Sequence, residues 1–197
     1  MDALAQIKKY YQGLNPDIPQ DAWNAFEHLL EVKTLEKGEF ITVPGDISNE
    51  VCFVAEGLMA LYVNMEDRKM VLEFFEENTY CCDYESFLTR KPSRLYMEAM
   101  EKTTLVNLKF DDLQYVYSLG ASFERMGRLI AEYLYICISH KSSSLLTESP
   151  EQRYQELMQT RPYLFQRLPL YLIASYLGIT PESLSRIRKR MLVKAGN

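Results

Sequence analysis

The sequence predicts an α+β protein: an N-terminal antiparallel β-barrel of jelly-roll type with flanking helices, then a long helix, then a small all-helical C-terminal domain. Three observations carry this expectation. Between Lys33 and Lys109, seven short β-rich runs follow one another with no long helical pattern between them, the spacing of an antiparallel barrel or sandwich. From Leu129 to Ile138, the stretch LIAEYLYICI carries a single charge, Glu132, so this helix has no wide solvated face at its centre. From Ser149 onward, cap and turn residues recur around short apolar patterns of helical period.

Residues 2 to 12 and 20 to 31 have helical composition, the second with Trp23, Phe26, Leu29 and Leu30 at helical spacing behind Pro19. The β-rich runs are EFITV, VCFVA, LMALYV, KMVLEFF, TYCC, RLYMEAM and TTLVNLK. Turn residues separate them: Pro44-Gly45-Asp46, Glu56-Gly57, and the segment from Asn64 to Arg68. Asp111 and Asp112 are each suited to cap a helix, and LQYVYSLG then gives a short helical stretch ending at Gly120.

The long helix is expected over about 121–146. A helix apolar nearly all round must be covered on two sides. The barrel can cover one side, and the same helix of a second subunit is the simplest cover for the other, which predicts a twofold homodimer; the alternative is an intrachain neighbour. The polar run His140-Lys141-Ser142-Ser143-Ser144 reads as a helix end or hinge. A new helix begins at Ser149, a good N-cap, with Pro150 at its first position and Gln152 placed for a capping box. The domain boundary therefore falls between 143 and 149, giving domains of 1–146 and 147–197.

Charge divides unevenly along the chain. The net charge is -5, yet residues 150 to 197 hold eight Lys/Arg against three Asp/Glu, and residues 1 to 149 hold 14 against 24. An acidic body carrying a basic contact module suits nucleic-acid binding, which needs local positive charge. No apolar run approaches the ~18 residues that span a bilayer, and MDALAQIKKYY lacks the apolar core of a secretory signal, so a cytoplasmic protein without membrane contact is expected. Cys52, Cys81, Cys82 and Cys137 form neither a CxxC pair nor a metal-ribbon pattern. They read as reduced, with Cys81 and Cys82 as small, half-buried strand residues rather than a redox sensor. His28 and His140, the only histidines, fall outside the strand region and read as helix-surface residues. A cupin-like metal site is thereby disfavoured, no Ser-His-Asp or Cys-His set assembles, and an enzyme is not expected. Asp83 with Glu85 reads as a solvated loop pair.

The informative stretch is PLYLIASYLGITPESLSRIRKRM, Pro169 to Met191. A helix-turn-helix needs a small residue where its helices approach, a residue tolerant of left-handed backbone in the turn, and apolar inner faces. Ala174 supplies the first, Gly178 the second, and Ile173, Leu177, Ile179, Leu184 and Ile187 the interior. Pro169 marks the first helix, and Thr180 with Pro181 opens the second. Leu184, Ile187 and Met191 form the inner stripe of that second helix, which leaves Glu182, Ser185, Arg186 and Lys189 together on the outer one. Arg can bond a guanine twice, Glu can accept from a cytosine amino group, and Ser can do either, while Arg188, Lys189 and Arg190 can neutralise phosphates. Thr180 and Ser183 complete the candidate DNA-contact set.

These residues, with the barrel segment LEKGEFITVPGDISNEVCFVAEGLMALYV and its turns at Gly38, Gly45, Asp46 and Gly57, make the chain resemble the Crp/Fnr family of bacterial transcription regulators over roughly residues 20 to 192. The resemblance implies a cyclic-nucleotide-binding-type barrel, a dimerising helix and a C-terminal helix-turn-helix. Its implied partners are double-stranded DNA, a second copy, RNA polymerase and a small-molecule effector of unidentified nature. Glu182, Ser185 and Arg186 match the family's E-x-x-S-R set, which implies a TTGA-type half-site.

Two departures stand out. Nucleotide-responsive members hold the cyclic phosphate with a Gly-Glu and an Arg-Ser pair, where this chain has Cys82-Asp83 and Ser93-Arg94. An extra acid without the glycine approach is unfavourable for a phosphate, so cyclic AMP is not the expected ligand. Asp83, Arg90, Ser93 and Arg94 are the candidate ligand-binding residues, with Arg90 or Arg94 able to pair with an anion. The hairpin wing that often follows the recognition helix in the family is not expected here. No cofactor is specified: an iron-sulfur cluster needs four converging thiolates, and no cysteine precedes Cys52. The competing reading is a small-ligand sensor or partner-binding protein that has lost DNA binding.

Overall fold

The computed structural model describes residues 2–16, 18–65 and 68–195. In chain order it has helices α1 (Ala3–Leu14) and α2 (Gln20–Glu27); strands β1 (Glu31–Leu35), β2 (Phe40–Thr42), β3 (Glu50–Glu56), β4 (Met59–Met65), β5 (Arg68–Phe75) and β6 (Tyr80–Cys81); and helix α3 (Tyr84–Thr89). Strands β7 (Tyr96–Ala99) and β8 (Thr103–Lys109) follow, then helices α4 (Phe110–Ser118), α5 (Ala121–Thr147), α6 (Pro150–Thr160), α7 (Leu164–Arg167), α8 (Leu170–Tyr176) and α9 (Pro181–Ala195). The chain divides into two compact units, one of residues 1–63 and 73–133, the other of residues 64–72 and 134–197.

The strands form two four-stranded sheets, ordered β1-β8-β3-β6 and β2-β7-β4-β5, so the expected α+β architecture is present as a β-sandwich of jelly-roll type rather than a closed barrel. Between the sheets lies a core of Leu35, Cys52, Val54, Met59, Phe75, Cys81, Met97, Ala99 and Leu105. The opposite face of β3 and β8 carries Phe53, Ala55, Val106 and Leu108, which pack with Ile7, Tyr11, Trp23, Phe26, Val116, Phe123 and Met126 from the helices. Both faces of β3 are therefore covered, which explains why VCFVA is a continuous apolar run rather than an alternating one. Gly57, at φ +97°, ends β3 in a turn so tight that an added Cβ would meet the Lys102 carbonyl oxygen at 2.6 Å.

Several local expectations need correction. The second helix stops at Glu27 instead of 31, and the following residues form β1, an edge strand paired with β8 from Glu31↔Asn107 to Leu35↔Thr103. Four of its five residues are exposed, so the strand shows no apolar alternation in the sequence. Helix α4 begins one residue before Asp111, with Lys109 at its N-cap, and places both aspartates in its first turn. The polar run 140–144 does not end a helix: α5 continues to Thr147. Its polar side chains find partners without breaking the ladder, since Lys141 donates to the Tyr176 carbonyl at 2.8 Å and Ser144 to the Glu148 carboxylate at 2.6 Å. Thr147 bonds back to the Ser143 carbonyl at 2.8 Å. Of the Asn64–Arg68 turn, Glu66 and Asp67 lie outside the described residues.

The cysteines are free, with Cys52 and Cys81 buried as a cross-strand pair and Cys82 and Cys137 half-buried. Hydrogen bonding to Cys81 and burial push the Cys52 thiol well up, and burial does the same to Cys82. His28 caps the C-terminus of α2, while His140 is exposed with Nε2 3.6 Å from Glu156.

Candidate nucleic-acid interface

The second unit holds the helix-turn-helix. Its first helix, α8, starts after Pro169, and buries Leu172, Ile173 and Ala174. It ends in a Schellman motif: Gly178 N–H donates to the Ser175 carbonyl at 2.9 Å and Ile179 N–H to the Ala174 carbonyl at 3.0 Å. Gly178 takes the left-handed conformation at φ +68°, and a Cβ there would come within 3.0 Å of Leu145 Cδ2. Thr180 then caps α9, its hydroxyl accepting from Ser183 N–H at 3.3 Å. Leu177, Leu184 and Ile187 are buried, Ile179 is half-buried, and the two helices lock through these residues. Helix α6 is held at its start by the full capping box of Ser149 and Gln152. Arg153 Nε donates to the Leu177 carbonyl at 3.0 Å. The Ser175 hydroxyl donates to the Lys69 carbonyl at 2.7 Å and accepts from Val71 N–H at 2.9 Å, serving the edge strand β5 as a neighbouring strand would.

With its inner stripe anchored, α9 turns Glu182, Ser185, Arg186 and Lys189 to solvent together. Ser183 is half-buried beside them, and Arg186 Nη2 donates to its hydroxyl at 3.0 Å. The Glu182 carboxyl is held below its ordinary range, first by its own backbone N–H, then by the Thr180 hydroxyl and the Arg186 charge. Arg188 is half-buried, and Arg190 is ion-paired with Glu151. The arrangement offers acceptor and donor groups along one exposed helical ridge, with cations on its C-terminal half.

The candidate ligand residues sit in the first unit around α3. Asp83, expected in a solvated loop, is instead 5% exposed. One of its carboxylate oxygens caps α3 by accepting from Ser86 N–H at 3.2 Å; the other accepts from the Ser93 hydroxyl at 2.6 Å. Two donors inside the fold make burial of the charge tolerable. Arg90 takes a left-handed backbone at φ 58° and its guanidinium bonds the Ser48 carbonyl at 3.1 Å, the Phe87 carbonyl at 3.2 Å and Asn49 Oδ1 at 2.5 Å. It also stacks on Phe110, 4.2 Å from the ring centroid. Arg94 is exposed and stands apart from this network. Among the described residues, no three His, Cys, Asp or Glu side chains converge as a metal site, and no helix is long and apolar enough to cross a membrane.

Residues 32–118 match the family model for the cyclic nucleotide-binding domain. Similar solved structures extend over both units. FixK2 from Bradyrhizobium japonicum superposes with a TM-score of 0.72 at 16% identity, covering 84% of this chain and 86% of its own. A CooA variant from Carboxydothermus hydrogenoformans gives 0.69 at 17%, covering 93% and 84%. A protein described as a Crp/Fnr-family transcriptional regulator from Eubacterium rectale gives 0.69 at 14%, covering 93% and 88%. The chain has the Crp/Fnr fold. Among curated proteins none matches the sequence significantly.

Within the Crp/Fnr fold the structure brings Glu182, Ser185, Arg186 and Lys189 onto one face of α9, places Thr180 at its cap and Ser183 half-buried beside that face, and sets Arg190 against α6. It joins Asp83 to Ser93 directly, ties Arg90 to the backbone beneath them, and leaves Arg94 outside. Sequence reasoning missed Ser86, whose hydroxyl accepts from Ser48 N–H at 3.0 Å and donates to the Lys91 carbonyl at 2.6 Å. The D-x-x-S spacing of Asp83 and Ser86, a cap pattern, was the available signal.

Proposed function

We propose that the protein is a cytoplasmic DNA-binding transcription regulator that acts as a homodimer and reads a palindromic site with α9. The observation that carries this reading is the solvent-facing ridge of Glu182, Ser185, Arg186 and Lys189 on a helix whose other side is anchored by Leu184 and Ile187. Such a helix fits the major groove, with its N-terminal residues toward base edges. The competing reading, a sensor without DNA binding, would be favoured by a ridge packed away from solvent, and this ridge is exposed. Selection of bound sequences from random duplex DNA by the purified protein tests the proposal. Enrichment of a twofold-symmetric motif is expected, with TTGA-like half-sites suggested by the family resemblance; recovery of no motif would reject it.

Dimerisation is supported by α5. Tyr133, Tyr135, Ile136, Ile138 and Leu146 are exposed on the chain taken alone, Ile136 at 63% and Leu146 at 86%. Apolar side chains this exposed on more than one side of a helix call for a partner, and a second copy meets them with twofold symmetry.

Cyclic AMP is not the effector in this proposal. The Asp83 carboxylate already takes up the donors of Ser86 and Ser93, and the Arg90 guanidinium is committed to two carbonyls, Asn49 and the Phe110 ring. An incoming phosphate would meet the buried Asp83 carboxylate and an Arg90 guanidinium already committed, with the exposed Arg94, next in sequence to Ser93, as the remaining candidate cation. Calorimetry should show no saturable heat with cyclic AMP; micromolar affinity, which takes about 8 kcal/mol of binding free energy, would contradict this.

A further inference from the structure

The exposed ridge of α9 is joined to its first turn by a short chain of hydroxyl groups. Thr180 Oγ1 donates to Ser183 Oγ at 3.2 Å, and Arg186 Nη2 donates to the same oxygen at 3.0 Å. Ser183 is not part of the i, i+3, i+4, i+7 stripe of Glu182, Ser185, Arg186 and Lys189; it lies beside it, half-buried. Its hydroxyl is not needed to cap the helix, because the cap is the Thr180 hydroxyl acting on the Ser183 backbone N–H.

Side chains on a helix lean toward its N-terminus, and residues three apart are surface neighbours. Ser183 and Glu182 are therefore the groups that a guanidinium at position 186 meets when it reaches back toward the helix start, the end that approaches base edges in a groove, and the hydrogen bond it makes is to Ser183. A guanidinium has five N–H donors. One bond to Ser183 leaves four, enough for a two-pronged contact to a guanine. An arginine side chain is otherwise free about several bonds, and base recognition must order it; a bond already present in the unbound protein removes part of that cost.

We propose that Ser183 is a positioning residue for DNA recognition, whose hydroxyl fixes the Arg186 guanidinium in its base-reading orientation and so sets the strength of guanine preference at one base pair. This rests on the reading of Arg186 as a base contact. Ser183 touches no base in this account. It acts through Arg186.

The test is base-resolved binding to the selected DNA site and to its single-base variants, with Ser183→Ala, Ser183→Thr, Arg186→Ala and the Ser183→Ala/Arg186→Ala double variant of the full chain. Ser183→Ala should lower the preference for guanine at the Arg186 base pair about three- to tenfold, the range of one ordinary hydrogen bond. It should leave preferences elsewhere and the salt dependence unchanged. Ser183→Thr, which keeps the hydroxyl, should restore the preference, and in the double variant the Ser183 substitution should add nothing to the loss from Arg186→Ala. The proposal is overturned if Ser183→Ala keeps the parent preference while Arg186→Ala abolishes it. It is equally overturned if Ser183→Ala weakens all sequences alike and flattens the salt dependence, the signature of a phosphate contact. Unchanged preference in Arg186→Ala would instead overturn the base-reading assignment itself, and the Ser183 role with it. Helical circular dichroism of each variant separates these outcomes from loss of fold.

Discussion

Glu182 and Asp83 show how differently two carboxylates are used within one chain. Glu182 is exposed, and its own N–H, the Thr180 hydroxyl and Arg186 all favour its charged form. Its pKa is lowered, so any stabilisation it gives is complete above the ordinary carboxylate range and is lost only as pH falls through the lowered value. An NMR titration should place its midpoint below the model-peptide value of about 4.3; a midpoint above that would contradict the observed contacts. Asp83 is a structural acid. Asp83→Ala removes the α3 cap and leaves the Ser93 hydroxyl without that acceptor, so urea unfolding should show a loss of about 1 to 3 kcal/mol, whereas a solvated loop aspartate would cost almost nothing. Gly178 is the third informative residue. An alanine there must hold a left-handed backbone and press on Leu145, and a loss of about 1 to 2 kcal/mol is expected from the backbone alone.

At the scale of elements, α5 carries the clearest prediction. Replacing Ile136 with Glu would place a charge against its symmetry mate, and light scattering should report monomers; an unchanged dimer mass would reject this face. Ile130, by contrast, packs against the N-terminal aromatic cluster, so substitution there would damage the fold as well as any interface. Elements fixed by local chemistry were legible in the sequence: the Ser149 capping box, the Gly178 turn and the Thr180 cap each depend on residues within six positions of each other, and the buried set of α8 and α9 follows from helical period on either side of that turn. Elements fixed by distant partners were not. Strand β1, EVKTL, buries only Leu35, shows no apolar alternation and exists because β8 offers it a ladder. The polar run of α5 reads as a break although Ser144 is satisfied locally by Glu148, because the partner of Lys141, the Tyr176 carbonyl of α8, is set by tertiary packing. The burial of Asp83 likewise depends on Ser93, ten residues away in another segment. The candidate DNA-contact ridge was readable because helical periodicity alone defines it, while the Ser183–Arg186 bond is a matter of side-chain direction that spacing cannot supply.

For the whole molecule, the decisive property is the separation of an acidic first part from a basic last part, eight Lys/Arg against three Asp/Glu after residue 149. Two copies related by a twofold axis would present two α9 ridges to successive major grooves about one helical turn apart, roughly 34 Å. The central claim is that Arg186 reads a base while the cations behind it hold phosphates. Quantitative mobility shifts over single-base variants of the selected site, for the parent, Arg186→Ala and Lys189→Ala across a salt series, test it most directly. The account predicts that Arg186→Ala costs about 1 to 3 kcal/mol per half-site and erases preference at one base pair, while Lys189→Ala weakens all sequences alike and flattens the salt dependence. The same affinity and the same base preference for Arg186→Ala as for the parent protein would contradict it.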